Sequence, residues 1–97
     1  MISVCVATYN GERFIREQID SILRQLSSDD EIIVSDDGST DDTISIINSI
    51  DDKRIRIIEG PRKHSPTQNF ECAMKEAKGD YIFLADQDDV WKPNKVE

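Results

Sequence analysis

Glu31-Ile32-Ile33-Val34-Ser35-Asp36-Asp37-Gly38-Ser39-Thr40 decides the fold of this chain. Its first half is short, β-branched and uncharged at the centre, the signature of a strand buried within a sheet. Its second half is a turn built from Asp, Gly and Ser, which leads into a helix capped by Ser39 or Thr40. Asp41 and Asp42 then fall in the first helical turn, where the helix dipole favours carboxylates. Ile44, Ile47 and Ile50 supply that helix's apolar stripe.

Strands and helices also flank this stretch, with no internal repeat of sequence. Upstream, Ile2-Ser3-Val4-Cys5-Val6-Ala7 reads as a strand buried on both faces, closed by the turn Thr8-Tyr9-Asn10-Gly11. Ile15, Ile19, Ile22, Leu23 and Leu26 follow at helical spacing, with Arg16, Glu17, Asp20 and Arg24 mostly on the other side. Downstream, Ile55 to Glu59 is a third strand whose alternation places it nearer a sheet edge. Phe70, Ala73, Met74 and Ala77 mark a third helix, with Gly79 as its C-cap. Tyr81-Ile82-Phe83-Leu84-Ala85 is the fourth strand, followed at once by Asp86-Gln87-Asp88-Asp89. Strands and helices alternate throughout with short connections, which requires parallel strands, right-handed crossovers and an α/β layered, Rossmann-like fold with helices on both faces. Pro93 opens a further helix that the chain does not complete, so the fold reads as truncated at Glu97.

Parallel strands point their carboxyl ends at one edge of the sheet, and open α/β sheets bind ligands there, where strand order reverses. Polar groups stand at three such ends: Thr8-Tyr9-Asn10, Asp36-Asp37 and Asp86 to Asp89. Carboxylates as close as Asp86, Asp88 and Asp89 repel one another, and a Mg²⁺ or Mn²⁺ ion would relieve that repulsion. Substrate phosphates commonly complete such a shell. Capping of the next helix by Asp88 or Asp89 is the competing reading. Asp36 and Asp37 likewise read either as turn chemistry or as acceptors for a pyrimidine N3–H or ribose hydroxyl. Tyr9 either faces a base or packs on the first helix.

Composition bounds the alternatives. With 97 residues there is room for one small domain, lean in apolar residues at 37%. A net charge of -8, from 20 acidic against 12 basic side chains, excludes a phosphate-binding face for nucleic acid. It is compatible with phosphates held through a divalent cation. Gly11, Gly38, Gly60 and Gly79 are scattered, so neither a dinucleotide fingerprint nor a P-loop is present. His64, with Arg62 and Lys63, reads as a solvated loop, and Trp91 as a core anchor. Cys5 and Cys72 read as reduced core thiols of a cytoplasmic protein. No apolar run approaches the ~18 residues of a membrane span, which leaves membrane attachment to chain beyond Glu97.

Three segments together resemble family 2 inverting glycosyltransferases of the GT-A fold: Ser3 to Asn10, Asp30 to Asp41, and Lys78 to Asp89 with its DXD motif Asp86-Gln87-Asp88. They follow the family's order and spacing over essentially the whole chain. The resemblance implies that residues 1–97 form the donor-binding part, the acceptor part being absent. Thr8 and Tyr9 would border the base, Asp37 would hydrogen-bond a pyrimidine with Asp36 in support, and Asn69 would lie near the donor. Asp86 would reach the ribose or the metal, and Asp88 would bind the ion bridging the two phosphates. Residues Arg62 to Gln68 depart from the glycine-containing stretch of the family. The catalytic base is expected beyond Glu97, so this chain alone should bind donor weakly and transfer nothing. The Asp-Gln-Asp-Asp-x-Trp form resembles bacterial surface-polysaccharide enzymes, including rhamnosyltransferases. It implies a UDP- or dTDP-linked sugar and a saccharide or lipid-linked acceptor at the inner face of the plasma membrane. A nucleotidyltransferase would carry a basic glycine-rich loop after the first strand, and a receiver domain would cluster acids there. A non-catalytic nucleotide-binding module is the remaining rival.

Overall fold

The computed structural model describes residues 1–61 and 66–86. Four strands, β1 (Ile2–Thr8), β2 (Glu31–Asp36), β3 (Ile55–Glu59) and β4 (Tyr81–Asp86), alternate with helices α1 (Ile15–Leu23), α2 (Thr43–Ile50) and α3 (Pro66–Glu76). All neighbouring strands are parallel, in the order β3-β2-β1-β4. The chain therefore steps outward from β1 to β2 to β3, then returns to pair β4 on β1's other side. Right-handed crossovers in opposite directions must put their helices on opposite faces, and they do.

On one face α1 and α2 bury Ile15, Ile19, Ile22 and Ile47 against Val4, Val6, Ile32, Val34 and Ala85. On the other, α3 sets Ala73 and Phe70, with Ala77 just past its end, over Cys5 and Ile33. The period-2 alternation of β1 and β2 sends successive residues to the two faces, which is why both strands are buried almost throughout. Ile19 is fully buried, and truncating such a side chain to Ala costs about 2–5 kcal/mol. β3, half-buried along most of its length, lies at one margin as its alternation implied.

Three local expectations change. Helix α2 begins only at Thr43, so Asp41 and Asp42 precede its first turn. Its leading N–H is taken by Asp41, whose Oδ1 accepts from Thr43 N at 3.0 Å, while Ser39 and Thr40 are engaged elsewhere. The partly buried partner of Ile47 and Ile50 in the core is Ile46 rather than Ile44. Gly79 is not the residue that ends α3, which stops at Glu76. A Cβ there would lie 2.6 Å from Ser3 Oγ and 2.7 Å from Ser3 N, so glycine is needed for close passage beneath β1.

The end of the sheet formed by the strand starts is locked by ion pairs and caps. Asp52 and Arg54 form a two-pronged pair, with Nη2 2.8 Å from Asp52 Oδ2. Arg54 Nη1 also donates to the Leu23 and Leu26 carbonyls at 3.3 and 3.0 Å, a cation at the C-terminal end of α1. Among the described residues, no helix is long and apolar enough to cross a membrane.

Candidate functional site

The register fixes which strand ends meet. Thr8 is opposite Asp36, Asp36 is opposite Glu59, and Ala7 is opposite Asp86. Thr8-Tyr9-Asn10, Asp36-Asp37 and the start of the Asp86 motif are therefore side by side on one rim. The strand order reverses between β1 and β4, which puts the switch point between Thr8 and Asp86. Asp88, with Gln87, Asp89, Trp91 and Pro93, lies outside the described residues, as do Arg62, Lys63 and His64.

The rim is built from buried backbone upward. Asp37 N donates to Thr8 O at 2.9 Å and Gly60 N to Asp36 O at 2.7 Å, extending the sheet past its last ladder rungs. Asp36 uses its carboxylate locally, accepting from Ser39 N at 2.9 Å and from the Ser39 hydroxyl at 2.5 Å. That closes a turn through Gly38, whose φ of 83° lies in the left-handed region glycine occupies without steric cost. Asp36 thus supports the loop, while Asp37, the next residue, is 3% exposed. Tyr9, 37% exposed, stands on the solvent side of the same rim.

Asn69 lies beneath the rim rather than on it. It is 4% exposed. Its Oδ1 accepts from the Ser35 hydroxyl at 2.5 Å and its Nδ2 donates to Thr8 O at 3.4 Å. Both ends of the amide are committed to the strand ends of β1 and β2. Gly60 completes this contact: a Cβ at that position would collide with Asn69 Oδ1 and lie 3.1 Å from both Asp36 O and Asp37 Cα. Ser35 and Gly60 were not singled out from sequence. A hydroxyl in an otherwise apolar buried strand was the available signal, because such a group needs an internal partner.

A second network joins the two loops above it. Asn10 N donates to Ser39 Oγ at 2.8 Å, and Thr40 N donates to Asn10 Oδ1 at 2.7 Å. Gly11 N donates to Thr43 Oγ1 at 2.9 Å, and the Thr43 hydroxyl in turn donates to Asp41. Burial opposes ionisation of Asp41, but the hydrogen bonds from the Thr43 hydroxyl, Thr43 N and Glu12 N outweigh it and hold the carboxyl below its ordinary range.

Cys5 is buried under α3. Burial, reinforced by the charge on Glu31, pushes its thiol up to about 11, so it stays protonated and unreactive. A hollow of about 560 Å³ lined by Ile47, Asp51, Asp52, Lys53 and Ile57 lies toward the opposite end of the sheet, away from the converging strand ends. Among the described residues, no three His, Cys, Asp or Glu side chains gather closely enough to hold a metal ion. The hard carboxylate oxygens of Asp86 and Asp88 suit Mg²⁺ or Mn²⁺. The β4 register brings the first of these two residues to the rim.

Comparison with known proteins gives one family. Residues 3–97 match the model for "Glycosyl transferase family 2". An Escherichia coli protein described as UDP-Glc:alpha-D-GlcNAc-diphosphoundecaprenol beta-1,3-glucosyltransferase WfaP is 41% identical over 96 residues. That match covers 99% of this chain and 38% of the relative. The crystal structure of S. aureus TarS 1–349 superposes with a TM-score of 0.89 at 28% identity, over 98% of this chain and 29% of that one. TarS is also known in complex with UDP. The mannosyltransferase PcManGT from Pyrobaculum calidifontis, in complex with GDP-Man and Mn²⁺, gives a TM-score of 0.82 at 27% identity. That match covers 93% of this chain and 28% of PcManGT. The chain thus spans well under half the length of the relatives it matches.

Proposed function

The chain belongs to glycosyl transferase family 2 and has its GT-A fold, and from that premise we propose that it is the donor-binding part of an enzyme that transfers a sugar from a nucleoside diphosphate to an acceptor hydroxyl. One observation carries the reading: the parallel register places Thr8, Asp36 and the Asp86 backbone on one rim, at the switch point of the sheet.

In this reading Asp37 accepts a hydrogen bond from the pyrimidine N3–H, and Tyr9 borders the base from the exposed side. Asp36 orients Asp37 by closing the Ser39 turn, and Thr8 with Asn69 fixes the end of β1 beneath them. Asp86 would reach the ribose or the ion, and Asp88 would hold the ion. A bound Mg²⁺ or Mn²⁺ supplies Lewis-acid neutralisation of charge on the diphosphate. Inversion at the anomeric carbon would require a base on the acceptor side, a role assigned to no residue of this chain. The likeness to the relative named for a diphosphoundecaprenol-linked acceptor supports a lipid-linked acceptor here, and in this reading the enzyme works in cell-surface polysaccharide synthesis at the inner face of the plasma membrane. UDP and dTDP remain the two donor classes because both carry the pyrimidine N3–H.

Calorimetric titration tests this reading. UDP or dTDP should bind in the presence of Mn²⁺, and chelating the metal should weaken binding at least about tenfold, as loss of the charge that neutralises the diphosphate implies. Absence of binding by either nucleotide, or equal affinity with and without Mn²⁺, contradicts it.

A further inference from the structure

Asn10 has a left-handed backbone, with φ of 52°. Glycine adopts that conformation without penalty, and among other residues Asn and Asp tolerate it best. The side chain is put to use. Its Oδ1 accepts from Thr40 N at 2.7 Å and from the Thr40 hydroxyl at 3.4 Å. Its own N–H donates to Ser39 Oγ at 2.8 Å, and that hydroxyl passes its proton side to Asp36 at 2.5 Å. These bonds of Asn10 all reach across to the loop that follows β2.

The two loops carry the two halves of the nucleoside-facing rim. Tyr9 immediately precedes Asn10, and Asp37 is separated from Ser39 only by Gly38. Holding Asn10 against Ser39 and Thr40 therefore sets the spacing between Tyr9 and Asp37. A loop already ordered in its binding geometry loses less entropy when ligand arrives, so preorganisation appears as affinity.

We propose that Asn10 is a positioning residue: its carboxamide staples the loop after β1 to the loop after β2 and thereby holds Tyr9 and Asp37 at the separation a pyrimidine nucleoside needs. This rests on the nucleotide-binding reading above. Two variants separate the side chain from the backbone requirement. Asn10→Gly keeps the left-handed φ and deletes the acceptor. Asn10→Asp keeps both.

The measurements are UDP affinity in Mn²⁺ at a temperature where every variant is fully folded, and hydrogen exchange of the Thr40 amide. Asn10→Gly should weaken UDP binding about tenfold, in keeping with loss of a preorganised loop, and should speed Thr40 exchange. Asn10→Asp should keep that amide protected. A residue that only stabilised the fold would lower the unfolding temperature and leave the affinity of the folded chain alone. If the parent binds UDP and Asn10→Gly binds it equally well, or if Thr40 exchange is unchanged, this proposal is overturned by itself. A parent that binds neither UDP nor dTDP overturns the nucleotide reading and takes this proposal with it.

Discussion

Gly60→Ala tests whether the rim depends on the packing beneath it. The added methyl would collide with Asn69 Oδ1 and sit 3.1 Å from Asp36 O and Asp37 Cα. Two of these three atoms are backbone at the end of β2, so moving the Asn69 side chain relieves the worst contact but leaves two tight ones. Overpacking of this kind costs about 1–3 kcal/mol. Asn69→Ala removes the third atom, at its own cost of about 1–3 kcal/mol, because the buried Ser35 hydroxyl loses its acceptor. Thr8 O stays satisfied through Asp37 N at 2.9 Å. The two changes share a contact, so they must couple. Urea unfolding of the two single variants and the double variant should show the double variant less destabilised than the sum, by about 1 kcal/mol. UDP affinity should fall in Gly60→Ala, because the displaced backbone carries Asp37. Additivity within about 0.5 kcal/mol, or unchanged stability of Gly60→Ala, would refute the reasoning.

Asp37→Asn preserves volume and deletes the charge; exchanging a charge-assisted hydrogen bond for a neutral one, a difference of about 1–1.5 kcal/mol, should weaken UDP binding roughly tenfold in a calorimetric titration. An unchanged dissociation constant would remove Asp37 from the site. Arg54 holds the Asp52 carboxyl at about 2 in the folded chain, against an ordinary value of 3.8. A folded value below the unfolded one means the stabilisation is full above the unfolded pKa and drains away as pH falls toward 2. Asp52→Asn should therefore cost about 2 kcal/mol at neutral pH and nearly nothing near pH 2, by urea unfolding at each pH. Asp30 and Glu31, whose burial is outweighed by hydrogen bonds and neighbouring cations, are depressed too and shift acid unfolding of the parent in the same direction. A thiol reagent at pH 8 should label half-buried Cys72 on the native chain and reach Cys5 only after denaturation, since Cys5 is both buried and protonated.

The strand-and-helix alternation was legible because it rests on two periodicities the sequence displays openly. Ile32-Ile33-Val34 and Val4-Cys5-Val6 are uncharged runs, and Ile15, Ile19 and Ile22 recur at helical spacing. Direction of crossover then determined the faces. Single-residue roles were less legible, because they depend on which segments pass close in space. Ser39 looked like a helix cap from its position before Thr43, yet its hydroxyl goes to Asp36, a partner that only the tight turn at Gly38 makes available. Gly79 looked like a helix stop, but its neighbours are Met1 and Ser3, at the far end of the sequence. Asn69 was singled out only through the family resemblance; its place beneath the rim depends on Ser35 and Gly60, which nothing in local sequence ties to it. The apolar run of β4 would suit an interior strand, whereas Tyr81, Ile82 and Leu84 are 69%, 45% and 48% exposed on a strand that is outermost among the described residues.

Manganese broadening of amide resonances tests the central claim most directly, because the paramagnetic ion marks its own position in the fold. The two ends of a strand as long as β1 are about 20 Å apart, so the two edges of the sheet give distinct patterns. With UDP and Mn²⁺ added, the signals of residues 8–11, 36–38 and 86 should broaden together, while those of Asp30, Asp52 and Arg54 stay sharp. Broadening centred on Asp51 and Asp52 at the other edge, or none that depends on UDP, would contradict a nucleotide–metal site at the converging strand ends.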